Sequence, residues 1–530
     1  MDWRAPSAIL KRGSAAKPVD RLQRWRAAML HRGAVPWITL GSLAGLGAGV
    51  LPLPVIALGA GGLTLLLIGL LQPAAFLVAT LVVAPLNALL ATERPGLPEI
   101  GQVAFGLLVV VWLIHRIALR RSLLAWSPLY WPLLAIILAA GLSLFVALSA
   151  AATVSELLKW VEMLIMAMLA CTLCVETGWR WPLIGVLAAA GTQAAIGLYQ
   201  FFGGSGSPSL WILNNHYFRA FGTFGQPNPF GACLGLVLPV ALGLLWGRLT
   251  ARRTGQPLAR GVTLLLIATV ALLTAGLIAS WSRGAWFGAA AAVGVMLLFA
   301  PRRRWIGVLI AALTLGFGGL ALVSGLLPAS LTARLSDFTS EIGGFQDVRG
   351  VVVTDANYAV IERLAHWQAG LAMADANPWL GVGFGNYEVA YPHYRLLNWP
   401  IPLGHAHNYY INMAAETGII GAGVYIGAWL LIFALNINLL GRLIGVERGL
   451  ALGLLGTWTY LSIHSLFDKL YVNNLFLHVG VLIGILGGLW LLAARRTRAD
   501  LPESSYLSTI TLTEATGTNG SNSTAIRDSI

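Results

Sequence analysis

Charge is what this sequence has least of: Asp, Glu, Lys and Arg together make up 10% of its 530 residues. That excludes an ordinary soluble enzyme, in which about a quarter of the residues are charged. Cysteine is scarcer still. Cys171, Cys174 and Cys233 are too few, and too embedded in apolar sequence, for a disulfide framework. Cys171 and Cys174 form a CxxC, but no βαβ context for a redox motif surrounds it, and helix packing is the expectation. HExxH, a Cys/His cluster, a nucleophile elbow and a P-loop are all missing, which argues against the corresponding metal, acyl-transfer and nucleotide chemistries. No cleavable signal peptide is expected either, because the first 32 residues are polar and basic, with eight Lys or Arg against two Asp.

What fills the chain instead is apolar: 57% of residues are hydrophobic and the mean hydropathy is +0.76. A bilayer crossing takes about 20 apolar residues as helix. Such runs fall at roughly 34–52, 54–71, 73–91, 101–118, 129–149, 156–175, 181–202, 229–247, 261–280, 284–300, 305–327, 405–435, 449–467 and 471–493. The fold class expected is therefore all-α, a polytopic membrane protein of about 12–14 spans with a large extracytoplasmic loop. Residues 1–33 form a basic cytoplasmic segment and 34–327 the first part of the membrane domain. Residues 328–404 form the outer loop domain, 405–494 the last part of the membrane domain, and 495–530 a disordered tail rich in Ser, Thr, Asn and Gly.

Orientation follows from the basic residues, which stay on the cytoplasmic side of short loops. With the chain in the plasma (inner) membrane and both termini cytoplasmic, 25 of the 34 Lys and Arg are cytoplasmic. The exceptions are Arg94, Lys159, Arg219, Arg283, Arg334, Arg349, Arg363, Arg395 and Lys469, and each needs a reason to stand against the rule. This topology gathers residues 203–228, the Ser280–Gly284 turn and 328–404 outside, the only layer with room for a site. Within it Tyr358–Met373 reads as an amphipathic helix with Ile361, Leu364, Ala365 and Leu371 on its apolar side.

Four patterns in that layer could carry chemistry. His407-Asn408, followed after nine intervening residues by Gly418-Ile419-Ile420-Gly421, stands where the chain re-enters the membrane. The histidine can accept a proton near neutral pH, Asn408 can orient a polar ligand, and the glycines let another helix or a lipid chain approach. Ser282-Arg283-Gly284-Ala285-Trp286 puts a guanidinium in a tight turn, where closeness to hydrocarbon, costly by roughly 2.5–3.5 kcal/mol at a helix centre, calls for an anionic partner. The loop from Arg219 to Asn228 can present Arg219 and backbone N–H groups to a phosphate. Arg363 and Trp367, four apart on one helix face, offer a charged and aromatic edge suited to phosphate or sugar, and the GxGxG at 381–385 reads as a turn. Glu156, Lys159 and Glu162 are spaced to pair with one another.

These residues together make the chain resemble the O-antigen ligase and polymerase superfamily of membrane glycosyltransferases. The resemblance rests on RAFGTFGQPN at 219–228, SRGAW at 282–286, ERLAHW at 362–367 with NPWLGVGFGN after it, and HN-x9-GIIG at 407–421. It implies an inverting transfer of a glycan from undecaprenyl diphosphate to a hydroxyl on a glycan, lipid or protein acceptor. It further implies His407 as general base or acceptor-orienting residue, and Arg283 and Arg363 as diphosphate ligands that complete the catalytic set. Arg219, Asn228, Asn408 and Trp367 are expected to bind substrate. Fixed cations can replace a divalent metal, so no metal, no cofactor and no nucleotide is expected, and no nucleic acid as partner. A chain polymerase of the same superfamily is the nearest alternative. A bicarbonate-type transporter is a more distant one, because the span centres are mostly apolar and the charged residues collect in the outer layer.

Overall fold

The computed structural model describes residues 61–63, 69–70, 72–93, 99–203, 208–213, 215–251, 260–325, 347–354 and 357–499. The apolar runs expected at 34–52 and 54–71, the basic N-terminus and the tail beyond 499 lie wholly or mostly outside them. Each of the twelve remaining runs is helical, 73–91 as two α-helices joined by a 3-10 turn at Ala84–Leu86. In chain order these and the shorter helices are α1 (Pro73–Val83), α2 (Asn87–Glu93), α3 (Ile100–Ala118), α4 (Tyr130–Leu142), α5 (Ala150–Thr177), α6 (Arg180–Gly203), α7 (Pro227–Ala251), α8 (Arg260–Ala279), α9 (Arg283–Phe299), α10 (Arg304–Val323), α11 (Tyr358–Ala376), α12 (Tyr387–Tyr394), α13 (Tyr409–Arg442), α14 (Gly445–His464) and α15 (Leu475–Ala499). A two-stranded ribbon, β1 (Trp211–Ile212) with β2 (Tyr217–Phe218), is the sheet structure of the described residues. Among those residues nine helices are long and apolar enough to cross a membrane, with α4 and α9 shorter apolar helices. The protein is an all-α polytopic membrane protein.

The chain divides into two compact units. The first comprises residues 1–76 and 107–123. Within it the Arg116 guanidinium lies over the Trp112 ring and donates to Ser122 O, closing the end of α3. The second unit, 77–106 and 124–530, holds every residue of the candidate site. Its core pairs α5 with α15, and α14 with both α7 and α9. Helices α7 and α15 are the most enclosed spans, each 83% buried over its most apolar window, whereas α10 is only 6% buried and turns nearly all its side chains outward. Cys171 and Cys174 are free, buried thiols on the face of α5 that meets Gly487 and Gly488 of α15, so the CxxC serves packing.

The amphipathic helix expected over 358–373 is α11. Ile361, Leu364 and Ala365 are buried as expected, with Ala369 and Met373 beside them, but Leu371 is exposed at the edge of that face. The turn after α11 is inserted into α13. Gly418 sits in α13 with φ +63°, a left-handed break that a side chain would strain. Across this break Val382 N and Gly383 N donate to Ala415 O and Glu416 O at 2.9 and 3.0 Å, and Ile419 N donates to Pro378 O at 2.8 Å. A Cβ on Gly418 would lie 2.3 Å from the Trp379 backbone. The glycine thus admits a backbone segment, where the sequence suggested a helix or a lipid chain.

Candidate active site

Arg283 opens α9, immediately after the turn Ser280-Trp281-Ser282 in which Trp281 adopts φ +53°. Two hydrogen bonds hold that turn from a distant loop: Arg219 donates from Nε to Ser280 O at 3.2 Å and from Nη2 to Trp281 O at 3.4 Å. Ser282 Oγ donates to Asn228 Oδ1 at 2.9 Å. The loop itself is seated on α6 by two buried glutamines. Gln200 Oε1 accepts from Phe221 N and Gly222 N at 3.1 and 2.8 Å, and Gln193 Oε1 accepts from Thr223 N at 2.9 Å. Such satisfied buried amides fix a loop rigidly, because breaking them would strand polar groups away from water.

The outcome is a cavity of about 190 Å³ lined by Arg219, Asn228, Ser282, Arg283, Gly284, Ala359, Arg363, His464 and Phe467. Three arginines that the sequence spreads over 144 residues meet here, and Asn228, the other expected substrate contact of the Arg219 loop, joins them. Arg283 is 8% exposed. Clustered guanidiniums repel one another and favour an anion with several acceptor oxygens. Trp367 lies in an adjoining cleft with Val360, Leu364, Arg363 and Phe467, so Arg363 and Phe467 are common to both spaces.

His407 does not line the cavity. It precedes α13 with φ +52°, a left-handed conformation uncommon for a residue with a side chain and typical of places where surroundings dictate the backbone. Asn408 is the N-cap of α13: its Oδ1 accepts from Tyr410 N and Ile411 N at 3.0 and 3.2 Å, so the carboxamide oxygen is engaged with the helix start. His407 Nδ1 faces Asp468 Oδ1 at 3.7 Å, a long approach of the kind that tightens when a site fills. Its ring stands edge-on to His366, which donates from Nδ1 to Glu362 O at 2.8 Å and stacks on Tyr391.

Asp468 is a residue that the sequence reading missed. It follows Phe467, a wall of the cavity, in the turn between α14 and α15, with His405, His407 and His464 around it. Burial pushes its carboxyl up, but the nearby rings of His407, His405 and His464 hold it well below the usual carboxylate range. His405 Nε2 lies 3.4 Å from the same Oδ1. Burial, aided by His407, Lys469 and His366, pushes His405 down to about 3 against the pull of Asp468, so its ring is neutral.

His405, His407 and Asp468 have the donor types of a metal site, and their ligand atoms lie within 4.8 Å of one another. The hydrogen bonding is against that use. His405 Nδ1 accepts from His407 N at 3.0 Å, which leaves a neutral ring with its hydrogen on Nε2, directed at Asp468, and no lone pair there for a metal. The hydrogen-bonded network reads as an orienting device for His407.

Glu156 and Lys159 pair at 2.6 Å, as their spacing suggested, and Glu156 has a second partner that the spacing did not show, Lys469 at 2.9 Å. Two of the basic residues that stood against the topology rule are thereby accounted for. The visible signal was the adjacent Asp468-Lys469 in a short turn between two apolar runs.

Residues 267–426 match the family described as O-antigen ligase, an interval that runs from α8 into α13 and includes Arg283, Arg363 and His407 while leaving out Arg219, His464 and Asp468. A comparison with curated proteins gives no match. Over these residues, set in a polytopic helical fold, the chain is similar to the O-antigen ligase family of membrane glycosyltransferases.

Proposed function

We propose that this protein transfers a glycan from undecaprenyl diphosphate to an acceptor hydroxyl, with inversion and without a metal ion, at the extracytoplasmic face of the plasma membrane. The observation that carries the reading is the convergence of Arg219, Arg283 and Arg363 on one cavity whose wall, Phe467, continues into Asp468 beside His407.

In this mechanism the acceptor oxygen attacks the anomeric carbon on the face opposite the diphosphate. A bond from that oxygen to the carbon forms as the bond from the carbon to the phosphate oxygen breaks, and the electron pair leaves with the diphosphate. Its negative charge rises as it departs, and preorganised guanidiniums stabilise that charge more in the transition state than in the ground state. The acceptor proton passes to His407 Nε2, while Asp468 on the Nδ1 side orients the imidazole and stabilises its protonated form. No nucleotide is required because the sugar is already activated. Trp367, next to Arg363, offers an apolar face to a sugar ring.

The test is mass spectrometry of polyprenyl-diphosphate-linked glycans in host membranes with and without the gene. Accumulation on deletion supports consumption by this protein, with long chains indicating a ligase and single repeats a polymerase. An unchanged pool together with no lost glycoconjugate would sink the transferase reading.

A further inference from the structure

The arginine cavity is not lined by donors alone. His464, the last residue of α14, is 1% exposed overall and forms part of the cavity wall. Its ring edge packs on the first turn of α9: a Cβ on Gly284 would come within 2.7 Å of His464 Cδ2 and 3.1 Å of Nε2. Gly284, next to Arg283, is therefore what allows this imidazole so close to the guanidinium turn.

The hydrogen bonds of the neighbouring tyrosine fix which ring nitrogen carries the hydrogen. Tyr460 Oη donates to Gly231 O at 2.8 Å, and a carbonyl can only accept. The phenol has one hydrogen and has used it. The contact of 2.9 Å between Tyr460 Oη and His464 Nδ1 must then run the other way, with Nδ1–H donating to the phenolic oxygen. A neutral ring with its hydrogen on Nδ1 has a lone pair on Nε2, the edge nearer Gly284 and the cavity. Around it stand Arg283 from α9, Arg219 from the loop before α7, Arg363 from α11 and Asp468 one turn on.

A lone pair among guanidiniums has a consequence for what can bind. An anionic oxygen placed against Nε2 meets another acceptor, and two acceptors repel unless a hydrogen lies between them. We propose that His464 Nε2 accepts a hydrogen bond from an O–H group of the ligand in the arginine cavity, making His464 a substrate-binding residue of this site. Resting on the transferase reading, that O–H has two sources of the same chemistry: a protonated oxygen of the diphosphate, or a second hydroxyl of the acceptor, not the attacking one whose proton goes to His407.

Two substitutions separate the ring nitrogens. His464→Asn keeps a donor near the Nδ1 position for Tyr460 and removes the group at Nε2, whereas His464→Gln carries a carboxamide out to the Nε2 position and gives up the bond to Tyr460. The purified full-length chain in detergent is titrated calorimetrically with inorganic pyrophosphate, and the lipid-linked glycan pool is measured in a deletion host expressing each variant. If the phosphate supplies the hydrogen, His464→Asn weakens pyrophosphate binding by about tenfold while His464→Gln stays within about threefold of wild type. If the acceptor supplies it, pyrophosphate affinity is unchanged in both, and glycan consumption is lost in His464→Asn but kept in His464→Gln.

Equal behaviour of the two variants in both measurements, whether intact or lost, overturns the assignment, as does loss in His464→Gln alone, which would mean that only the tie to Tyr460 matters. A wild-type chain that shows the pyrophosphate pattern yet consumes no lipid-linked glycan sinks the transferase reading and leaves the role of His464 standing.

Discussion

Lys469 Nζ lies 2.9 Å from Glu156 Oε1, with both side chains less than one-tenth exposed, and Lys469 is the chain neighbour of Asp468. The pair ties the turn between α14 and α15 to α5, and Glu416 of α13 is a second carboxyl near Lys469. The aspartate beside His407 is thus fixed by a lysine that never reaches the cavity.

Removing one partner of a buried ion pair strands the other charge, at about 3–5 kcal/mol. Lys469→Met is expected toward the lower end of that range, because Lys159 still neutralises Glu156 at 2.6 Å. Glu156→Gln is expected toward the upper end, because it leaves both lysines short of a partner. Thermal unfolding in detergent should rank the two variants in that order, both below wild type.

His407→Ala should lower transfer by about 10²–10⁴-fold, the range for loss of a positioned general base. Arg283→Ala should lower it by about 10²–10³-fold, as for loss of one stabilising donor. Membrane insertion and detergent solubility should be unchanged in each. The readout is consumption of lipid-linked glycan, and wild-type consumption by either variant would refute that residue's role.

Transfer should persist in EDTA and gain nothing from magnesium. The reason is the tautomer of His405, whose Nδ1 accepts from His407 N and whose Nε2 hydrogen faces Asp468. Loss of activity in EDTA with rescue by a divalent ion would overturn both the tautomer and the metal-free mechanism.

Acidification should destabilise the fold. His405 titrates near 3 in the folded chain, against about 6.5 unfolded. Between those values the unfolded state binds the extra proton, so stability is full above about pH 6.5 and falls as the pH drops toward 3. Asp468, with its carboxyl held low, works in the same direction below about pH 4. Apparent melting temperatures at pH 7.5 and 4.5 should differ, and His405→Asn should narrow the gap. An equal gap in both proteins would argue that His405 is not the group responsible.

The orientation of the site is testable at Leu397, which is 96% exposed in the segment between α12 and α13. Because Cys171, Cys174 and Cys233 are buried, a Leu397→Cys variant should be the reactive thiol among described residues. An impermeant maleimide should label it in intact cells. Labelling only after lysis would place the segment in the cytoplasm.

Much of this was legible in the sequence because spans are long and their signal is periodic and strong. Every apolar run within the described residues became a helix, and even the amphipathic α11 was visible from Ile361, Leu364 and Ala365. The arginines were visible for a different reason: a cation against hydrocarbon is costly, so Arg219, Arg283 and Arg363 stood out as violations needing a cause. What stayed hidden depends on partners far apart in the chain. Asp468 looks like an ordinary polar turn until His407, 61 residues earlier, is placed beside it. His464 looks like a helix-end histidine, and only the bond between Tyr460 and Gly231, 229 residues apart, reveals which nitrogen is bare. Gln193 and Gln200 read as stray amides in an apolar helix until the 219–228 loop comes down on them.

The break at Gly418 bears on how this protein could be re-engineered. Because α13 completes its backbone hydrogen bonding with Pro378, Val382 and Gly383, the segment that carries Arg363 and Trp367 is not an appendage that can be exchanged at its two ends. A chimera that grafts residues 357–404 from a relative would have to bring 415–419 with it, or leave a helix with carbonyls facing a turn of the wrong shape. Swaps aimed at changing glycan choice should therefore take their junctions below the break, inside α13, where one helical turn follows another and the chain no longer depends on a distant strand of its own backbone.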